Sequence, residues 1–97
     1  MRVYWTDRAK HRLALIHDHI AKESPLIAPQ VIARLVRRSI QIGEVPYSGR
    51  EVHEFRRHDV REILERPYRI IYRIHVDRID VITVMHYRQL LPGDLTP

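Results

Sequence analysis

The chain changes its hydrophobic period once, and the change divides it into a helical half and a sheet half. From Ala9, the apolar residues Leu13, Ile16 and Ile20 follow at spacings of four, three and four, which lines one face of a helix. Arg8, Arg12, Asp18 and Lys22 take the opposite face. Thr6 is a good N-cap for this helix, and Asp7 places an acid in its first turn. A second stripe, Ala28, Val31, Ile32, Leu35, Ser39 and Ile42, opposes Arg34, Arg37 and Arg38. Ser24-Pro25 reads as a cap followed by a first-turn proline, with Pro29 able to delay the start. Gly43 ends the stripe as a C′ glycine. A connection this short predicts an antiparallel helical hairpin.

Glu44 to Arg50 gathers Pro46, Ser48 and Gly49 and is the clearest loop. After it the period is two. Val60–Leu64, Tyr68–Val76 and Ile79–His86 predict three strands, with turns at Arg66-Pro67 and Asp77-Arg78. In the second, Tyr68, Ile70, Tyr72, Ile74 and Val76 point one way, and Arg69, Ile71, Arg73 and His75 the other. The third is apolar on both faces and therefore central. Met1–Trp5, with Val, Tyr and Trp, predicts a strand ahead of the first helix. Glu51–Arg57 is too polar and irregular to assign, and Gln89–Pro97, with two prolines and a glycine, reads as a mobile tail. The expected fold class is α+β, in the order β-α-α-β-β-β. A helical hairpin covers one face of a small, mostly antiparallel sheet and leaves the other face partly open, in one domain over residues 1–97.

Composition narrows the chemistry. Ninety-seven residues bury roughly 60–65% of the unfolded surface, so one small core carries the stability. Seventeen Lys+Arg against twelve Asp+Glu give +5, and only Lys10 and Lys22 are lysines. Arginine forks onto carboxylate or phosphate and stacks on flat rings, so the charge points to an acidic or nucleic-acid partner. The absence of cysteine excludes disulfides, thiolate metal sites and cysteine nucleophiles. No signal-peptide apolar core and no membrane-length apolar run are present, so the expected location is the cytoplasm.

Seven histidines invite a metal reading, which the spacing does not support. His17 and His19 project about 200° apart on a helix, and His53 and His58, beside Glu54 and Asp59, match no zinc spacing. Ser24, Ser39 and Ser48 lack elbow glycines, and three glycines build no phosphate loop. No metal and no cofactor is expected. The open sheet face is more informative, because alternation gathers Arg69, Arg73 and His75 there, and Arg61 joins from the preceding strand. The end of the last strand adds His86, Tyr87 and Arg88, of which His86 and Arg88 share a side. Such a face grips a polyanion, or cleaves a phosphodiester without metal, with His as acid or base and Arg stabilising phosphoryl charge. The bland alternative is that these arginines are solvated or pair with Glu62, Glu65 and Asp80.

Pro46-Tyr47-Ser48-Gly49-Arg50, Val60-Arg61-Glu62-Ile63-Leu64, Tyr68-Arg69-Ile70-Ile71-Tyr72-Arg73 and Val84-Met85-His86-Tyr87-Arg88, in this order behind two helices, resemble the RelE/ParE toxin superfamily. The resemblance covers the chain from Thr6 to about Leu91. It implies the same fold and a role as toxin of a type II toxin–antitoxin (plasmid stabilisation) module, held by a cognate antitoxin across the hairpin and sheet. RelE-like members cut mRNA on the ribosome without a metal; ParE-like members poison DNA gyrase and cause growth arrest. Arg69 matches an arginine found in both branches. His86, Tyr87 and Arg88 fall where nucleases keep C-terminal catalytic groups, but Val60–Leu64 supplies only Arg61 as a base, and the wording of both strands looks closer to ParE.

The resemblance therefore implies a gyrase inhibitor without catalytic residues, binding partners through Arg69, Arg73, His75 and Arg88. The alternative is a ribosome-dependent endoribonuclease using Arg61, Arg69, His86, Tyr87 and Arg88. A family member that retains only partner binding is the third reading. Open sheet edges and the apolar helical surface also suit a homodimer or a toxin–antitoxin hetero-oligomer.

Overall fold

The computed structural model describes residues 1–97. Strand β1 (Arg2–Trp5) leads into helices α1 (Asp7–Ala21) and α2 (Ala28–Ile42). A 3-10 turn at Pro46–Ser48 follows, then β2 (Arg50–Glu51), β3 (Val60–Glu65), β4 (Tyr68–Ile74) and β5 (Arg78–His86). The strands form one sheet in the order β1-β5-β4-β3-β2, parallel between β1 and β5 and antiparallel elsewhere. The expected α+β architecture is observed, with β5 central. No helix is long and apolar enough to cross a membrane.

Thr6 ties the first strand to the first helix. Its hydroxyl accepts from Ala9 N at 3.2 Å and donates to Val81 O at 2.9 Å, so one side chain caps α1 and anchors it to β5. Trp5 Nε1 donates to Ser39 Oγ at 3.0 Å, locking β1 against α2. The second helix starts later than Ser24-Pro25 suggests. Ser24 O receives the Ile27 and Ala28 amides, and Pro29 occupies the first turn of a helix that begins at Ala28. The proline at 29 supplies the helical φ, and the one at 25 belongs to the connecting turn.

Two apolar clusters lie on opposite sides of the sheet. The helix-side cluster joins Ala9, Leu35 and Ile42 to Ile70, Tyr72, Ile74, Ile79, Val81 and Val84. The second joins Val52 and Val60 to Ile71, Ile82, Met85 and Leu95, with Phe55 and Leu91 against it. The far face is thus covered more than its sequence pattern implies. Residues 52–59 and the segment 89–97, read from sequence as mobile, both lie across it, and Leu95 is buried. Val76, grouped by alternation with the core-facing residues, lies beyond the end of β4 and is fully exposed.

The Pro46–Arg50 segment has a physical anchor. The buried Tyr72 hydroxyl donates to Pro46 O at 2.7 Å and accepts from Gly49 N at 3.1 Å, and burial pushes its pKa up. A Cβ at Gly49 would meet that hydroxyl and would stand 2.7 Å from Glu62 O, so only glycine fits. Tyr72→Phe leaves both backbone groups unpaired and should lower stability by about 1–3 kcal/mol; urea denaturation checks this, and an unchanged midpoint would refute the anchoring role.

Candidate functional site

Arg69 sits on the far face of β4, diagonal to Glu62 on β3. Its Nη1 donates to Glu62 Oε2 at 2.8 Å, and the two side chains are only 10% and 5% exposed. The second Glu62 oxygen accepts from Arg50 Nε at 2.8 Å. Glu62 is therefore a buried carboxylate held between two guanidiniums. Arg69 Nη2 also reaches Gln89 O at 3.5 Å, while its Nε is buried without a partner. Two charges withdrawn from water this far hold each other in place, and neither is free to grip a distant phosphate.

Arg73, on the same face, donates to Asp59 at 3.2 Å and to Pro97 O at 3.4 Å. Asp59 is also clasped by Arg57 through bonds of 2.9 and 2.7 Å. The Arg57 hydrogen bonds, aided by the charges of Arg57 and Arg73, hold the Asp59 carboxyl below the usual carboxylate range. His75 lies just past β4, with Nε2 3.0 Å from Asp80, which also receives Arg78 at 3.0 Å. Arg69, Arg73 and His75 do share one side of the sheet, each tied to a different carboxylate.

The C-terminal residues go elsewhere, because of a bulge. Ile71 pairs with Thr83 and Tyr72 with Val81, so Ile82 is left without a partner in the β4–β5 ladder. One extra residue reverses the facing of everything after it. His86 consequently sits opposite Tyr68 on the helix side, while Arg69 opposes Met85 on the far side. His86 lines a cleft of about 320 Å³ together with Arg12, Leu15, Ile16, His19, Tyr68 and Gln89. Its ring meets Tyr68 edge-on at 6.2 Å and stacks on Tyr87 at 4.9 Å. The Arg88 amide donates to His86 Nδ1 at 3.1 Å, and Arg88 Nε to the Tyr87 hydroxyl at 3.0 Å. His86, Tyr87 and Arg88 are therefore together, and separated from Arg69 and Arg73 by the sheet.

Arg61 is in a third place. It lies opposite Tyr72 on the helix side of β3, near the sheet edge. Its Nη1 donates to Gly49 O at 3.0 Å, its Nε to His58 O at 2.9 Å, and its Nη2 meets His58 Nδ1 at 2.9 Å. The guanidinium stands 5.2 Å from the centre of the Tyr47 ring, on which His58 stacks at 5.1 Å. Sequence spacing groups neither Tyr47 with His58 and Arg61, nor Arg12, His19 and Tyr68 with His86. The seven-residue interval from Arg12 to His19 is the one signal available, since it puts both on one flank of α1. No three His, Asp or Glu side chains stand close enough to hold a metal ion.

Two stability predictions follow from the carboxylates. Glu62→Ala leaves Arg69 only the longer, 3.9 Å approach of half-exposed Glu54 and should cost about 3 kcal/mol, whereas Glu62→Leu with Arg69→Met should recover most of that loss. Chemical denaturation of the two variants checks the pair, and equal loss in both would refute it. Asp59 has a lowered folded pKa, so its contribution is complete above the unfolded carboxyl pKa of about 3.9 and is lost as pH falls through the lowered value. Asp59→Asn should therefore be less stable at neutral pH and show a shallower acid limb, measured as thermal midpoint against pH.

Relatives supply the remaining observation. The family described as "ParE toxin of type II toxin-antitoxin system, parDE" matches residues 3–91. A Sinorhizobium fredii (strain NBRC 101917 / NGR234) protein named "Putative toxin Y4kP" is 39% identical over 93 residues, 94% of this chain and 93% of that one. Among solved structures, one from the chromosomal ParDE TA system of P. aeruginosa has the same fold, with TM-score 0.75 and 24% identity over 89% of this chain and 95% of that one. One from the toxin-antitoxin complex RelBE2 of Mycobacterium tuberculosis gives 0.67 and 18%, over 91% of this chain and 92% of that one. A match running from Val3 to Leu91, joined by a close relative spanning nearly the whole length, makes the assignment: the chain belongs to the ParE toxin family of type II toxin–antitoxin systems.

Proposed function

We propose that this toxin works without catalysis, by binding DNA gyrase and stalling it on cleaved DNA, and that a cognate antitoxin neutralises it. The observation that carries the reading is that Arg61 on β3 and Arg69 on β4 are held by other partners, apart from the His86–Tyr87–Arg88 group. Phosphodiester cleavage needs a proton-transferring group and a phosphoryl-stabilising cation at the same reacting atoms. Here the Arg69 guanidinium is clamped to buried Glu62, His86 lies across the sheet beside Tyr68, and Arg61 is bound into the Gly49–His58 edge. That arrangement suits a binding surface better than an active centre.

Antitoxin binding is supported by the family and by surface chemistry. Leu15, Leu26, Ile27 and Ile40 on and beside the helices are half to largely exposed, on a chain of net charge +5. An acidic amphipathic segment that folds on contact complements both features. Arg88 is an exposed contact point for such a segment or for the target, Arg73 and His75 are partly exposed ones already paired with Asp59 and Asp80, and Arg69 serves mainly to hold the sheet.

Purified full-length toxin, free of antitoxin, should inhibit gyrase supercoiling and accumulate cleaved DNA, and added antitoxin should reverse both effects. His86→Ala should retain inhibition within about two-fold. Absence of any gyrase effect from folded protein, with mRNA cleavage in a translating extract that His86→Ala abolishes, would overturn the proposal in favour of an endoribonuclease using Arg61, Arg69, His86, Tyr87 and Arg88.

A further inference from the structure

The Tyr47–His58–Arg61 cluster has no part in the reading above, and nothing in the core requires it. Tyr47 is 54% exposed and makes no side-chain hydrogen bond, yet its ring is held in a defined stack. His58 lies over it at 5.1 Å with 24° between the planes. Arg61 meets His58 Nδ1 at 2.9 Å while its own guanidinium stands 5.2 Å from the Tyr47 centroid. Arg61 is in turn fastened to two backbone carbonyls, those of Gly49 and His58. Gly49 is pinned from below by the buried Tyr72 hydroxyl. The result is a rigid π and cationic platform on an exposed edge, prepared at the cost of ordering three side chains that could otherwise be solvated.

Along the Ser48–Arg50 stretch that follows Tyr47, a shallow, open recess is lined by Arg38, Ser48, Gly49, Arg50 and Glu62, among others. Glu62 is bound by Arg50 and Arg69, and Arg50 keeps 68% of its side chain exposed. Arg50 is thereby held on the far face with Glu62, while Arg38, which like Arg61 acts electrostatically on the Tyr72 hydroxyl, offers its guanidinium on the platform's side. We infer that this edge binds single-stranded nucleic acid, with an unpaired base stacked on the Tyr47–His58–Arg61 platform and the adjoining phosphate beside Arg38. Stacking on aromatic and guanidinium planes is what such strands use when no sequence is read. An acidic peptide would use the arginines alike but would gain nothing from two stacked rings. A paired duplex presents no free base face to the platform. The platform is on the opposite edge of the helix-side surface from His86, and binding there holds whether gyrase or another target is the one poisoned.

The test is fluorescence anisotropy of the full-length toxin with a labelled oligothymidylate of about ten nucleotides, against the same backbone with abasic positions, each in deoxy and ribo form. The base-bearing strand, in one sugar form or both, should bind about ten-fold or more tighter than its abasic counterpart. Tyr47→Ala should erase that difference while Tyr47→Phe preserves it. Because Tyr47 is exposed, Tyr47→Ala should retain the parent thermal midpoint. His58→Ala, as the second variant, should weaken binding in the same base-dependent way. The salt slope should correspond to about one phosphate. Equal affinity for abasic strands, equal competition by an acidic peptide, or binding indifferent to both Tyr47→Ala and His58→Ala would overturn the inference.

Discussion

Strand β5 is buried on both faces, and the unpaired Ile82 in its middle decides which side chains each face receives. Before the bulge, Ile79 and Val81 face the helices; after it, Val84 does, while Ile82 and Met85 join the far cluster. A strand of uninterrupted period two would send Thr83 and Met85 toward the helices with Ile79 and Val81, and His86 to the far side with Arg69. The bulge keeps aliphatic residues against α1 and α2 and delivers His86 to the helix side. The rest of the architecture answers the two faces so created. The helical hairpin covers one, and residues 52–59 with Leu91 and Leu95 cover the other.

Electrostatics follows from that burial. A far face lined by Val52, Val60, Ile71, Ile82 and Met85 is a poor solvent for charge, and the arginines that alternation places there need partners within reach. Glu62 and Asp59 supply them. The same residues that look like a phosphate grip in one dimension are, in three, a row of paired ions. Charges left exposed lie instead at the rims: Arg88 stacked on Tyr87, and Arg50, which keeps most of its side chain in solvent. A largely neutralised sheet face with charged rims separates most of the groups that hold the fold from those left exposed.

Most of the local structure is legible in the sequence. The α1 stripe and the Thr6 cap depend on residues within one or two turns of each other, and both are where spacing puts them. The alternation of Tyr68 to Ile74 and the central place of β5 were equally readable, since apolar residues on both faces demand neighbours on both sides. The start of α2 was not, because Pro25 and Pro29 are each acceptable in a first turn and only packing chooses between them. Strand β2 escaped for a different reason. Arg50 and Glu51 are exposed and carry no pattern, and they are a strand only because β3 lies alongside.

The sequence by itself determined the element types, their order and the residues rich in chemistry, since helical and extended periods are written in neighbouring side chains. Its resemblance to known toxins extended that reading to the superfamily. Which chemistry-bearing residues meet was decided only in the tertiary structure. Whether Arg69 faces His86 depends on a single unpaired residue, Ile82, thirteen positions away from it in the chain, and whether Arg69 is free depends on a carboxylate on another strand. A one-residue register shift is nearly silent in the local pattern of a strand apolar on both faces, yet it exchanges the two sides of the sheet.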